Sequence, residues 1–241
     1  MKDAFIVGSI MTFLGIISGL IGGAFGTLFH VKNKNVISAL YELTAGIMTG
    51  IVCFEMLPES FLISNIIYSL IGIVIGVLLI YILDVAVYKL NKKNYNNKSI
   101  VAMVVMISMA IHNVIEGLAV GSGFSFSLNL GIVVLLGIFL HDIPEGIVVG
   151  ITSKLGGKKS KKIILETTIV GACGGIGTFF GCIIGKISEE YISFSLSTAA
   201  GAMLYLVACE LIPESKNNSK NKLVYLVYVI GIIIGSLISR V

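Results

Sequence analysis

Long apolar runs separated by short polar stretches make up nearly the whole chain. Eight of them, roughly 6–29, 36–57, 62–88, 100–123, 127–152, 163–187, 192–213 and 222–240, are long enough to cross a bilayer, since about 20 apolar residues suffice for one crossing. The expectation is therefore an all-α membrane protein of eight transmembrane helices with no room for a separate water-soluble domain. The opening MKDAFIVGSIMTFLGIISGLIGGAFG has the Lys, apolar run and small residues of a signal peptide. It is too long for a signal core, however, and has a counterpart further along the chain.

That counterpart belongs to a larger repetition. TAGIMTGIVCFEMLPES at 44–60 and AAGAMLYLVACELIPES at 199–215 share Ala, Gly, Met, Val, Glu, Pro, Glu and Ser in register. IGIVIGVLL at 71–79 resembles IGIIIGSLI at 230–238, and GGAFGTLF at 22–29 loosely resembles GGIGTFF at 174–180. Spans 1–3 thus correspond to spans 6–8. Starting points five spans apart enter from opposite sides, so the halves are predicted to be inverted copies, a recurrent transporter plan with its site near the midplane. The predicted organisation is one transmembrane domain over 1–241: a repeat at 6–88, a central helix pair at 100–152 and a second repeat at 163–240, arranged 3+2+3.

Composition agrees: 56% of residues are hydrophobic and 12% charged, with a mean hydropathy of +1.00, far above a soluble domain. The net charge of +4 reflects topology. Of the 17 Lys and Arg, 14 fall in loops 1–2, 3–4, 5–6 and 7–8, leaving Lys2, Lys186 and Arg240 for the other face; the positive-inside bias then puts both termini outside the cytoplasm. The Lys clusters lie beside span ends without interleaved aromatics, so no nucleic-acid partner is implied. Cys53, Cys173, Cys182 and Cys209 form no CxxC pair and read as small packing residues.

The charges that do lie in apolar surroundings are concentrated in the unduplicated pair, where HNVIEG at 112–117 returns as HDIPEG at 141–146. In an antiparallel hairpin turning near 125–129 the two motifs lie at equal depth. His112 lies about 18 Å along its helix, close to the bilayer centre. His and Glu four apart stack on one face, with Asn113 or Asp142 on the adjoining edge. A charge at the bilayer centre costs roughly 2.5–3.5 kcal/mol on insertion scales, and no Lys or Arg shares that depth with Glu116, Asp142 and Glu145. A bound divalent cation would offset the cost, and paired His–Glu faces supply the N and O ligands that transition metals favour. Two other readings compete: a chain of protonated carboxylates relaying H⁺, and polar glue between helices. An intramembrane metallohydrolase would want a His-Glu-x-x-His frame, which does not occur here.

These motifs in spans four and five, together with eight spans and external termini, resemble the ZIP (Zrt/Irt-like) family of metal-ion transporters over nearly the whole chain. The resemblance implies a metal site, often binuclear, between spans two, four and five. It also implies uptake of a divalent ion toward the cytoplasm, Zn²⁺ foremost with Fe²⁺, Mn²⁺ and Cd²⁺ as related cargo, across the plasma membrane. His112, Glu116, His141 and Glu145 would be primary ligands, Asn113 and Asp142 would serve a second position, and Met48 would lend a thioether suited to softer ions. The chain departs from the family pattern at Ile115, where Pro is usual, at Gly174 and Gly175, where span six often has Glu-Pro, and in lacking a His-rich tract between spans three and four.

Topology suggests a path. Glu55 and Glu59 fall near the outer end of span two, and Glu210 and Glu214 near the inner end of span seven; the deeper Glu55 and Glu210 are the candidate way stations. Glu166 reads as solvated or paired with Lys162, Glu189 and Glu190 as weak cation attractors, and His30 as interfacial. The 28 glycines, in GxxxG frames such as Gly22–Gly26 and Gly177–Gly181–Gly185, suit close helix contact, sliding, or a homodimer.

Overall fold

A computed structural model describes residues 2–28, 33–93, 98–155 and 157–240; His30 and Lys32 lie outside them. The described residues are helical apart from short turns and connections, and contain no strand. The helices are α1 (Lys2–Leu28), α2 (Lys34–Ile51), α3 (Leu57–Ile63), α4 (Ile66–Lys93), α5 (Lys98–Phe126), α6 (Leu128–Leu155), α7 (Ser160–Ala172), α8 (Gly174–Ile184), α9 (Glu189–Leu206), α10 (Ile212–Asn218) and α11 (Leu226–Ile238). Six continuous runs among them are long and apolar enough to span a membrane, which makes this an integral membrane protein.

The second and seventh apolar runs extend further than their hydropathy predicts, because each passes through a π-helical turn. Val52–Met56 joins α2 to α3, and Val207–Leu211 joins α9 to α10. Each π turn is closed by a five-residue backbone bond, Leu57 N–H to the Val52 carbonyl and Ile212 N–H to the Val207 carbonyl. Pro58 and Pro213 follow directly. A proline has no N–H to give and its ring crowds the carbonyl four residues back, so a wider turn ahead of it relieves the crowding and leaves the helix continuous. The two turns occupy equivalent positions in the repeated sequences, so the similarity extends to an irregularity of the backbone. The sixth run stays continuous in length but carries a one-residue interruption: α7 ends at Ala172 and α8 begins at Gly174, with Cys173 as a turn between them. α5 carries Ile115 and runs unbroken, whereas α6 holds Pro144 in its interior.

Packing divides the helices into two bundles. In one, α1 lies against α6, α7 and α8, and α5 packs on α8 and α6. In the other, α2 pairs with α11 and α4 with α9, so the second run of each repeat packs on the last run of the other. The bundles meet where α5 touches α9 and α4 and where α2 touches α6. Small residues allow these approaches. A side chain at Gly22 would meet the Gly146 Cα at 2.7 Å, and one at Gly46 the Gly231 Cα at 2.8 Å. Gly26 faces Gly150, while Gly177 and Gly181 face the α5 backbone at Val114 and Leu118. The predicted GxxxG faces are therefore occupied within the chain.

Serines tie the ends of the α2–α3 and α9–α10 runs to each other. At one end Ser193 Oγ donates to the Ser60 carbonyl (2.8 Å), as does Ser69 Oγ (2.9 Å). At the other, Ser38 Oγ donates to the Ser215 carbonyl (3.0 Å), and Ser215 Oγ donates to Glu42 Oε1 (2.6 Å).

Candidate metal centre

α5 and α6 form an antiparallel hairpin through Ser127, whose N–H donates to the Gly123 carbonyl (2.9 Å) and whose hydroxyl accepts from Leu130 N–H (3.1 Å). Gly123 and Gly131 face each other beside the turn, which lets the helices approach closely and brings the two motifs to the same depth.

His112, Glu116 and His141 are buried, at 3%, 0% and 0% exposure, as are Asn113 and Asp142. Glu116 Oε1 lies between both imidazoles, 3.0 Å from His112 Nε2 and 3.1 Å from His141 Nε2. His141 Nε2 also lies 3.5 Å from Asp142 Oδ1, and its Nδ1 faces the Gly137 carbonyl at 3.1 Å, which fixes the ring. Two sets of ligand atoms fall within 4.8 Å of one another: His112, His141 and Glu145, and Glu116, His141 and Asp142. His141 belongs to both. Among the described residues no Lys or Arg forms an ion pair with any of these carboxylates.

Several buried polar atoms here lack a hydrogen-bond partner: His112 Nδ1, Asn113 Oδ1 and Glu116 Oε2. Such atoms are costly in a low-dielectric interior. The Asn113 amide is oriented by its other end, where Nδ2 donates to the Val170 carbonyl (3.0 Å). Beside Asn113, Asp142 and Glu145 lies a chamber of about 20 Å³, also lined by Ser18, Met109 and Thr167. It is large enough for one water or one small ion.

The other expected residues are dispersed. Met48 is fully buried in the apolar core that α2 shares with α5, α6 and α9. Glu55, on the first π turn, is buried. Glu210, on the equivalent turn, is exposed, within electrostatic reach of His112 and Glu145. Glu166 is ion-paired, but its closer partner is Lys158 at 2.7 Å, with Lys162 at 3.9 Å. A side chain at Gly174 would meet Met11 Cε at 2.8 Å, and one at Gly175 would collide with Thr12, so α1 fills the space beside span six. Cys182 is buried as a packing residue, whereas Cys53 and Cys209 are exposed on the π turns, on faces that turn away from the core.

The sequence reading missed Ser18, whose hydroxyl reaches Asp142 Oδ2 at 3.5 Å from α1. It also missed Asp84, which accepts from the Tyr205 hydroxyl at 2.8 Å, and Glu42, buried beside Ser215. Glu42 was legible as a lone acid in the α2 run; Ser18, like many Ser in apolar helices, carried no signal of its own.

Fold and site together define a polytopic helical membrane protein with two overlapping His/carboxylate ligand sets on its central hairpin. Residues 89–239 match the family described as ZIP Zinc transporter; this is more than half of the chain, which belongs to that family, one of transporters and not of enzymes. The chain is 36% identical over 115 residues to zinc transporter GufA of Myxococcus xanthus, covering 47% of this chain and 45% of that protein. It is 35% identical over 139 residues to zinc transporter ZIP11 of Xenopus tropicalis, 55% of this chain and 41% of the relative. Zinc transporter foi of Drosophila melanogaster is 24% identical over 137 residues, 57% of this chain and 19% of its own length. The matched regions span less than half the length of each relative.

Proposed function

We propose that this protein carries divalent transition-metal ions, Zn²⁺ foremost and Fe²⁺, Mn²⁺ and Cd²⁺ as alternatives, across the plasma membrane into the cytoplasm. The observation that carries the reading is the pair of overlapping ligand sets, largely buried, shared through His141 and, among the described residues, without a Lys or Arg ion pair. One ion position uses His112, His141 and Glu145. A neighbouring one uses Glu116, His141 and Asp142, with Asn113 Oδ1 facing the chamber beside it. Two imidazoles with three carboxylates suit zinc and its neighbours.

The path follows from the repeats. In this reading the chain is one domain of eight spans, 3+2+3, the six long runs being joined by α5 and by the shorter α11, with both termini extracytoplasmic. An ion enters past Glu55, binds on the hairpin and leaves past Glu210. Glu55 and Glu210 occupy equivalent positions on the two π turns and would mark the two mouths. Movement of the α1–α5–α6–α7–α8 bundle against its neighbour would alternate access, and Gly137 on α6, whose side-chain position is taken up by Ile51 of α2, lies on that boundary. Met48, one turn before the first π turn, adds a soft ligand as span two shifts. A homodimer would use the lipid-facing surface of α4 or α11, since the small-residue faces are packed internally.

The test is uptake into proteoliposomes of Zn²⁺ against Fe²⁺, Mn²⁺ and Cd²⁺, for the wild type and for Glu116→Ala with His141→Ala. Selective uptake, lost in the double variant, is expected. Movement of protons without any divalent ion would overturn the reading in favour of a proton relay.

A further inference from the structure

On the outer surface of the first bundle a groove of about 440 Å³ runs between α5 and α7. Its body is apolar, lined by Met106, Ile107, Ala110, Ile169 and Val170, and its end carries Lys162 and Glu166. The polar end lies near the start of α7. Ile169 is seven residues further on, about 10 Å along the helix, so the groove is polar at the depth of headgroups and apolar toward the hydrocarbon. An amphiphile fits that gradient, and a detached phosphate does not.

Charge decides which amphiphile. Glu166 is already neutralised by Lys158 at 2.7 Å, while Lys162 stands 3.9 Å from it and is 59% exposed. Lys159 and Lys161 are exposed beside it, and Lys154 donates to Ser160 Oγ. The mouth is thus a cationic cluster in which Lys162, 59% exposed and only loosely paired with a Glu166 that Lys158 already holds, can turn to an anion at the edge of the groove. Lysines at a span end attract anionic headgroups, and here the attraction coincides with a cleft able to take an acyl chain.

We infer that an anionic glycerophospholipid occupies this groove, with its phosphate on Lys162 and one acyl chain laid along Met106, Ala110 and Ile169. The position has a functional consequence, because Met106 and Val170 also line the chamber beside Asn113 and Asp142. The lipid forms the outer backing of the wall that separates the ion chamber from the bilayer.

The chain contains no tryptophan, so a single introduced one reports its surroundings alone. Ile169→Trp would be reconstituted with brominated phosphatidylglycerol or brominated phosphatidylcholine, and Leu78→Trp on the exposed face of α4 would serve as the control. Quenching at Ile169→Trp is expected to favour the anionic lipid about five-fold, the worth of one lysine contact near a membrane surface. The preference is lost on adding Lys162→Gln or the groove-filling Ala110→Leu, and Leu78→Trp shows none. Equal preference at both tryptophans, or an effect of Lys161→Gln as large as that of Lys162→Gln, would mean diffuse attraction to the surface and would overturn the inference. The measurement uses no transported ion, so its failure and a failure of the transport reading are separate results.

Discussion

His141 supplies a ligand atom to both sets of the hairpin, whereas Asp142 and Glu145 each serve one. Truncating His141 would therefore take a ligand atom from both proposed ion positions at once. Apparent zinc affinities of four-ligand protein sites amount to about 10–16 kcal/mol, or roughly 2.5–4 kcal/mol per ligand, and each ~1.4 kcal/mol is a factor of ten. His141→Ala should then weaken Zn²⁺ binding by about 10²–10³-fold. Asp142→Ala leaves His112, His141 and Glu145 together and should cost about ten-fold or less. Combining Asp142→Ala with Glu145→Ala takes one ligand from each set and should bring the loss back toward that of His141→Ala. Competition against a chromophoric chelator, with the protein in detergent micelles, measures all three against the wild type. If Asp142→Ala alone matches His141→Ala, or if His141→Ala binds within three-fold of the wild type, the overlapping-set description is wrong.

Met48→Leu keeps side-chain volume and should leave the melting temperature within a few degrees. If the thioether meets the ion, the ratio of Cd²⁺ to Zn²⁺ uptake falls several-fold, and an unchanged ratio makes Met48 a packing residue only. Ser215→Ala strips the donor from buried Glu42 Oε1 and should destabilise by about 1–3 kcal/mol. Ser60→Ala should cost less than about 1 kcal/mol, because Ser193 and Ser69 bond to its carbonyl and not to its hydroxyl; thermal melts of the two would separate them. A methyl at Gly137 would lie 2.5 Å from Ile51 Cδ1 across the bundle boundary. Overpacking of this kind costs about 1–3 kcal/mol, so Gly137→Ala should slow uptake, and adding Ile51→Ala should restore it if that contact is the cause.

The chemistry of the hairpin was legible because it violates its surroundings: His112, Glu116, His141, Asp142 and Glu145 are the His and acidic residues of two largely apolar helices, and a 3.6-residue period stacks them without further information. Their equal depth followed from the symmetric distance of the motifs to the turn at Ser127. Which run packs on which did not follow, since the α2–α11 and α4–α9 partnerships rest on glycines that look alike in every span. The π turns were half legible: Pro58 and Pro213 announced an irregularity, but a proline in a helix can end as a kink, a break or a widened turn. Pro144 stays inside a continuous α6, and span six is interrupted at Cys173 with no proline at all. The Lys158–Glu166 pair escaped because it crosses a loop, where a helical spacing rule favours Lys162.

The exchange of partners between the repeats has a consequence for how the chain is made. Gly46 in α2 rests on Gly231 in α11, 185 residues later (231 − 46). At about 5–20 residues per second of synthesis, α2 spends roughly 10–40 s in the membrane before its neighbour exists. During that interval its glycine face is open to lipid and to other small-residue helices, including those of sibling chains. Assembly of this pair must therefore wait until α11 has been made, and a variant that lacks only α11 would show its first damage at α2, 185 residues earlier in the chain.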